Sequence, residues 1–395
     1  MVSIYTTFMP KSNYRTRKIY LDYASGALKT AANPGAIHSL GVAEKDKLNK
    51  ARARIARLIG ARPDEIIFTS GATEANNLAI LGLPRGHVVT TNIEHASVME
   101  TAKHQAAVTY VPVQPNGIVD PKKVRNALRP NTVLVSVIYA NNEIGTIQPI
   151  KEIAKEIRHY NKMYPYPTSP HRRGRIKGGI IFHTDAVQAT NYLELNVEKL
   201  GVDLMTFNAA KIYGPHGIGV LYKKRNVRLS PLFYGGNQEF GLRPGTENVA
   251  ATQNLARTLK QADKIKKQEV KRLTKLRDYF INKLEHSQIF KNTRMILNGD
   301  KERRLPNNVN ITIPGIPGDL LVIELSAQGV MVGSKSACKE GEAGASQVIK
   351  AINPLAQDTD GSVRFSLGRE TTKADIDRTL QTLFQILKKL KIWYN

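Results

Sequence analysis

Short runs of β-branched and apolar residues recur along the first half of the chain and limit the folds it can adopt. Each run is long enough for one buried strand, and segments of helical length lie between several of them. This alternation is typical of a mostly parallel α/β sheet covered on both faces by helices. The predicted strands are 66–69, 87–91, 132–138, 179–183, 204–208 and 217–222, and the predicted helices include 73–81, 97–106, 121–128 and 149–160.

The length of the chain predicts two domains. The chain has 395 residues and a mass of 43.8 kDa, and a single hydrophobic core stops growing before this size. A Lys- and Leu-rich helical stretch at 249–285 separates the strand-rich part from a region of shorter elements. We expect a large domain at 19–250 and a smaller domain at 251–395 that also includes segment 1–18. The elements predicted in the smaller domain are 309–313, 319–327, 346–352, 363–366 and a closing helix from residue 373.

Composition and cysteine content favour an intracellular, cytoplasmic protein. No apolar run approaches the roughly 20 residues that span a bilayer, and segment 1–18 lacks the apolar block of a secretory signal. The single cysteine, Cys338, excludes an internal disulfide and agrees with a reducing compartment. We predict no membrane partner and no metal site.

The formal net charge of +25 predicts attraction to anions such as phosphates, nucleic acid or acidic proteins. Much of the excess is spread over segments such as 45–57, 260–275 and 388–391, as on solvated helix faces. The basic segment 171–177 follows a proline-rich stretch and is predicted to be an exposed loop. It is either solvated or contacts an anionic partner.

Lys211 stands where an apolar strand ends and a glycine-rich turn begins. A lysine among apolar neighbours can lose its proton and form a Schiff base with an aldehyde such as pyridoxal phosphate. Asp185 ends an earlier strand, where ligands lie in open α/β sheets. Its carboxylate either keeps a pyridine nitrogen protonated or caps the next helix. Residues 69–74 join a strand to a helix whose free amides either hold a phosphate or are capped by Ser and Thr.

Together these segments resemble the class V aminotransferase family and, within it, the cysteine desulfurases of the NifS and IscS type. The resemblance runs from about residue 19 to 387 and implies a fold type I pyridoxal-phosphate-dependent transferase with a seven-stranded, mostly parallel sheet and a smaller α+β domain. The motifs that carry it are 20–23 (YLDY), 68–74 (FTSGATE), 94–95 (EH), 141–145 (NNEIG), Asp185 with Gln188, 211–215 (KIYGP) and 364–369 (RFSLGR).

The resemblance implies a role for each residue that matches the motifs. Lys211 would carry the cofactor, Asp185 would pair with the pyridine nitrogen, and His95 would stack on the ring and move protons. Arg364 would hold the substrate carboxylate, a task suited to its fork of donors. The remaining implied contacts are Asn142 and Gln188 at the oxygen side of the ring, Ala72, Thr73 and Asn208 at the cofactor, Asn33 at the substrate, and Thr246 at the phosphate of a neighbouring subunit, which implies a homodimer.

Cys338 lies in a small, polar, glycine-containing segment at 333–344 that is typical of a loop. The segment resembles the desulfurase loop whose thiolate attacks the sulfur of L-cysteine, leaving L-alanine and a persulfide for a sulfur-acceptor protein, such as an iron–sulfur scaffold or a tRNA-thiolation protein. Lys335 and Lys339 would favour the thiolate. A selenocysteine lyase uses related chemistry and is the nearer alternative.

The sequence also departs from the family pattern. Asn208, Ala209 and Ala210 stand where relatives carry a serine and a histidine, the chain is shorter between residues 25 and 33, and the proline-rich, basic stretch 164–177 is an insertion. The altered segment 208–210 and the positive net charge favour a second alternative, a protein that keeps the fold without turnover and binds nucleic acid or an acidic partner through its basic surface. They would also suit a copy carried by a large DNA virus and packaged in its virion.

Overall fold

A computed structural model describes most of the chain. The described residues are 21–22, 24, 32–164, 179–334, 346–357 and 360–394, with side chains up to residue 390. Cys338 and its neighbouring lysines, and all but the first residue of the predicted insertion, lie outside them.

A seven-stranded sheet with the strand order β1-β7-β6-β5-β4-β2-β3 forms the centre of the larger part. Its strands are β1 (Ile66–Thr69), β2 (His87–Thr91), β3 (Ala107–Val111), β4 (Thr132–Ile138), β5 (Ile181–Asp185), β6 (Leu204–Asn208) and β7 (Gly219–Lys223). Strand β7 is antiparallel to both of its neighbours, and every other pair is parallel. Strand β1 therefore runs in the same direction as β6, and the predicted α/β fold with a mostly parallel sheet is confirmed.

Helices cover both faces of this sheet. Side chains of α2 and α3 pack in the core of one face, and side chains of α1, α5 and the first part of α7 pack in the core of the other. The helices of this part are α1 (Ser39–Ile59), α2 (Ala72–Leu81), α3 (Ala96–Ala102), α4 (Pro121–Asn126), α5 (Ile150–Met163) and α6 (Val197–Leu200), with 3-10 turns at Pro63–Glu65, Ala210–Ile212 and Gln238–Gly241.

The prediction of a single helix over 97–106 is wrong at its C-terminal end. Helix α3 ends at Ala102, and a turn leads into the edge strand β3. Four of the five β3 residues are only half-buried. A half-buried edge strand does not need the continuous apolar run by which the central strands were predicted, so the sequence did not indicate this strand.

The second part of the chain has a core of its own. A three-stranded antiparallel sheet in the order β10-β9-β8 packs with α9, α11 and the second half of α7. Its elements are α7 (Val249–Glu285), α8 (Gln288–Thr293), β8 (Ile296–Leu297), β9 (Asn308–Thr312), α9 (Gly318–Ala327), α10 (Gln347–Ile352), β10 (Ser362–Ser366) and α11 (Lys373–Tyr394). None of the helices in the described part of the chain is long and apolar enough to cross a membrane.

Helix α7 contributes to both cores. Leu255 and Leu259 are buried with the large sheet, whereas Leu273 and Phe280 are buried with the small one. Helix α10 returns to the large sheet, where Val348 packs in its core. The predicted domain boundary near residue 250 falls at the start of α7 and stays a prediction.

Candidate active site

The C-terminal ends of β1, β2, β4, β5 and β6 lie at one edge of the large sheet, because these strands all run in the same direction. Ligands of open α/β sheets bind at this edge. Most of the predicted site residues follow these strand ends. They are Ala72 and Thr73 after β1, His95 after β2, Asn142 after β4, Asp185 and Gln188 at the end of β5, and Asn208 and Lys211 at the end of β6.

A buried hydrogen-bond network joins Asp185 to His95. Asn76 Nδ2, on α2, donates to Asp185 Oδ2 and to Ser97 Oγ, both at 2.8 Å. Ser97 Oγ in turn lies 2.8 Å from His95 Nδ1. Sequence reasoning missed Asn76 and Ser97, although a polar residue on the apolar face of a short helix is a signal that could have found Asn76. The network fixes the orientation of both predicted ring contacts.

Asp185 is only 4% exposed. Burial raises the pKa of its carboxyl, while hydrogen bonds from Val187 N and Asn76 and the charge of His95 act in the opposite direction. Oδ1 accepts the Val187 amide at 3.0 Å, so the carboxylate also caps the turn after β5. A cation placed beside Asp185 would favour its ionised form, which is the environment that a protonated pyridine nitrogen provides.

Lys211 lies in the 3-10 turn after β6 with its side chain exposed. Its backbone is held from two sides, because its N–H donates to Asn208 Oδ1 at 3.3 Å and its carbonyl accepts Asn191 Nδ2 at 2.6 Å. Tyr213 has a left-handed φ of 63°, its hydroxyl accepts the Arg369 N–H at 2.9 Å, and the Arg369 guanidinium lies 4.0 Å from its ring centroid. The segment after β10 therefore holds the lysine turn in place.

The N-terminus of α2 is open to a ligand. Gly71 supplies no side-chain cap, so amides of the first helical turn keep hydrogen-bonding capacity beside the exposed Thr73. Gly219 on β7 makes room for this turn, since a Cβ there would lie 2.6 Å from the carbonyl carbon of Gly71. These donors fit a phosphate group, and the buried carboxylate of Asp185 fits a pyridine nitrogen.

Arg364, on β10, brings the small sheet to the same edge. Its Nη1 donates to the carbonyl of Asn142 at 3.1 Å. Arg364 and Gly333 also exchange two backbone hydrogen bonds. The chain therefore enters the segment that contains Cys338 directly beside Arg364.

The other end of that segment is held on the large sheet. Ser346 Oγ donates to a carboxylate oxygen of the buried Glu143, the residue after Asn142. The described residues on both sides of the Cys338 segment therefore contact residues of the candidate site.

Asn33 and Thr246 are not carried by the strand ends of the large sheet. Asn33 Oδ1 accepts the N–H of Gly35 at 2.8 Å, shortly before α1. Thr246 is exposed in the segment between the 3-10 turn Gln238–Gly241 and α7. The predicted roles of both residues stay predictions.

Glu94 is a buried carboxyl beside His95 that sequence reasoning did not single out as a site residue. Oε1 accepts Thr91 Oγ1 at 2.6 Å and the Ile138 amide at 3.0 Å, whereas Oε2 has no partner among the described residues. Burial, with a smaller contribution from the charge of Asp185, raises the pKa of Glu94 to about 8. Burial therefore favours the protonated form of the Glu94 carboxyl.

Glu94→Gln is expected to remove a pH dependence of stability. Between its ordinary pKa of 4.5 and about 8, the unfolded chain releases the Glu94 proton and the folded chain retains it. The contribution of this group to the free energy of unfolding therefore falls by about 1.4 kcal/mol per pH unit as pH rises. Urea unfolding of the cofactor-free protein from pH 5 to 8 measures this slope. The exposed Glu100→Gln variant is the control, and an unchanged slope in Glu94→Gln contradicts the assignment.

Comparison with known proteins identifies the family of the chain. A family model described as Aminotransferase class-V matches residues 14–165 and 173–379, leaving a gap inside the predicted insertion. The chain is 39% identical to "Cysteine desulfurase IscS" of Dictyoglomus turgidum over 399 residues, covering 95% of this chain and 96% of the relative. It is also 39% identical to "Cysteine desulfurase IscS" of Methanosarcina thermophila over 369 residues, covering 91% and 86%.

Solved structures show the same likeness. A structure described as "NIFS-LIKE PROTEIN" superposes with a TM-score of 0.79 at 30% identity, covering 91% of this chain and 92% of the other. These relatives give no support to a viral origin or to packaging in a virion. The match to the family model over most of the chain shows that the chain belongs to the class-V aminotransferase family. The chain is similar over most of its length to cysteine desulfurases of the IscS and NifS type.

Proposed function

We propose that this protein is a pyridoxal-phosphate-dependent cysteine desulfurase that converts L-cysteine into L-alanine and collects the sulfur on Cys338. The observation that carries the proposal is the buried network from Asp185 to His95, at the sheet edge where Lys211 and the open N-terminus of α2 also lie. Similarity to relatives named cysteine desulfurase over most of the chain supports the choice of reaction.

The donors at this edge fit the cofactor. Lys211 would hold it covalently through Nζ, Asp185 would pair with the pyridine nitrogen, and α2 with the Thr73 hydroxyl would bind the phosphate. When bound, pyridoxal phosphate supplies an electron sink for negative charge that develops on the substrate. The contacts proposed for the rest of the cofactor are His95 against the ring face, Asn142 and Gln188 at its oxygen side, and Ala72 and Asn208 near the phosphate.

Arg364 and Cys338 would act on the substrate. The guanidinium of Arg364 would bind the carboxylate of L-cysteine, and its bond to the Asn142 carbonyl orients it toward the sheet edge. The Cys338 thiolate would attack the substrate sulfur, so that an S–S bond forms and the C–S bond breaks with its electron pair left on carbon. A proton delivered to that carbon completes L-alanine, and the sulfur remains as a persulfide for an acceptor protein.

Lys211 and His95 are the groups proposed to move protons. Lys211 projects from a turn that is fixed by Asn191 and Tyr213. His95 is half-buried, and Ser97 fixes one of its ring nitrogens and with it the orientation of the ring.

We also propose that two copies of the chain form a homodimer. Phe233, Tyr234 and Phe240 are large apolar side chains that are 56%, 93% and 56% exposed, in the segment that leads to Thr246. Exposed apolar groups of this kind favour a protein interface. In a dimer, Thr246 would reach the phosphate of the second copy. Light scattering tests this arrangement, and a monomer at micromolar concentration would contradict it.

Cys338→Ser tests the proposed reaction. Alanine and sulfide formed from L-cysteine with excess cofactor are expected to fall by at least about 10³-fold, because serine is a far weaker nucleophile toward sulfur. Ser336→Ala, in the same segment, serves as the matched control and is expected to keep most of the activity. Unchanged alanine formation in Cys338→Ser would contradict the desulfurase proposal.

A further inference from the structure

One exposed face of α7 carries a row of cationic residues between positions 257 and 275. They recur every three or four positions, so they lie along one line of the helix. The line is about 27 Å long at the rise of an α-helix, and it lies opposite the buried side chains Leu255, Leu259 and Leu273. We call this surface the α7 cationic face. Its residues are Arg257, Lys260, Lys264, Lys267, Lys271 and Lys275, and all are exposed.

No acidic side chain neutralises the α7 cationic face. The carboxylates of α7 before its last residue are Asp263, Glu269 and Asp278. They pair instead with Lys266, Arg272 and Arg277, which are half-buried or buried on other sides of the helix. Among the described residues, none of the side chains of the face forms an ion pair. Like charges three or four residues apart repel each other, so a bound polyanion would stabilise this arrangement.

The shape of the face selects the kind of polyanion. A straight, evenly spaced row of cations matches a polymer with evenly spaced charges better than a folded protein, whose carboxylates are distributed by its own fold. The net charge of +25 adds long-range attraction for such a polymer. We propose that the α7 cationic face binds the phosphate backbone of nucleic acid without reading its sequence.

This binding goes beyond the proposed desulfurase reaction and does not depend on it. The opposite side of α7 faces the lysine turn, since Ala262, Ile265 and Glu269 line a cavity together with Tyr213 and Arg369. Nucleic acid on the outer face would therefore lie across one helix from Lys211, without entering the candidate active site.

The test titrates a fluorescent 20-base-pair DNA duplex with the holoenzyme at 50, 100 and 200 mM NaCl and follows anisotropy. A plot of log K against log salt is expected to have a slope of about −5, as for six phosphate contacts at about −0.9 each. The triple variant Lys264→Gln, Lys267→Gln, Lys271→Gln is expected to bind at least about 10-fold more weakly and to lose about 2 to 3 from the slope. Glutamine keeps the helical preference of lysine.

The matched control removes the same charge from another helix. Lys151→Gln, Lys155→Gln, Lys162→Gln changes exposed lysines of α5 and is expected to alter affinity by less than about 3-fold, because only long-range attraction is lost. Three results would each overturn the proposal: equal weakening in both triple variants, binding of polyglutamate in place of DNA, or no DNA binding at 50 mM NaCl.

Single variants such as Lys267→Gln give the same comparison if the triple variant does not fold. L-cysteine turnover in the α7 variant is expected to match wild type, which separates this proposal from the desulfurase proposal.

Discussion

Asp185→Asn is expected to lower kcat for L-cysteine by about 10²–10³-fold, the usual cost of removing one preorganised electrostatic contact from an active site. Asparagine keeps the shape of the side chain and one acceptor oxygen for the Val187 amide or Asn76. It loses the negative charge that would keep the pyridine nitrogen protonated, and with it the strength of the electron sink. Steady-state kinetics and the absorption spectrum of the bound cofactor measure both effects.

The N-terminal cap of α4 provides the control for this variant. Asp120 accepts the Lys122 amide at 2.8 Å, and α4 carries none of the predicted site residues. Asp120→Asn is expected to leave kcat unchanged. If kcat for Asp185→Asn stays within about 3-fold of wild type, the proposed role of Asp185 is contradicted. A change of that size corresponds to less free energy than an ordinary hydrogen bond contributes.

Glu239→Ala is expected to reduce the free energy of unfolding by about 3–5 kcal/mol, because it leaves the charge of Arg52 buried without a partner. Arg52 and Glu239 form two hydrogen bonds, at 2.6 and 2.8 Å, and their side chains are only 7% and 1% exposed. Glu239 also accepts the amide of Phe68 on β1 at 2.8 Å. The pair therefore joins α1, β1 and the segment that leads to Thr246, and urea unfolding measures its loss.

The same pair holds a strained turn. Glu239 and Phe240 have left-handed φ angles of 48° and 60°, which side chains other than glycine rarely adopt. An exposed ion pair of similar geometry, Arg225 with Asp64, is the comparison, and Arg225→Ala is expected to cost much less stability than Glu239→Ala, because solvent screens the exposed pair. Equal losses in Glu239→Ala and Arg225→Ala would show that burial of the first pair has no special consequence.

Sequence patterns predicted the elements that are buried on both faces or uniformly amphipathic. Strands β1, β2, β4 and β6 and helix α7 begin and end where the runs of apolar residues and the helical periodicity indicated. These elements are specified by their own residues, because full burial requires a continuous apolar run. The seven strands and their mostly parallel pairing also agree with the family resemblance.

Contacts between distant segments were not predictable in the same way. The bridge from Asp185 to His95 passes through Asn76 and Ser97, which are separated in sequence and meet only because α2 and α3 pack together. The contact of Tyr213 with Arg369 joins residues 156 positions apart. The return of α10 to the large core likewise depends on tertiary packing, so a local pattern predicts the helix and not its neighbours.

The most direct test of the central claim is the visible absorption spectrum of the protein with pyridoxal phosphate, compared between wild type and Lys211→Ala. A lysine-bound cofactor gives a visible band that free cofactor at the same concentration does not match. The proposal predicts that wild type shows this band, that L-cysteine changes it, and that Lys211→Ala lacks it. A wild-type protein without the band in excess cofactor, or a band that survives in Lys211→Ala, would contradict the assignment of Lys211 and the desulfurase function that depends on it.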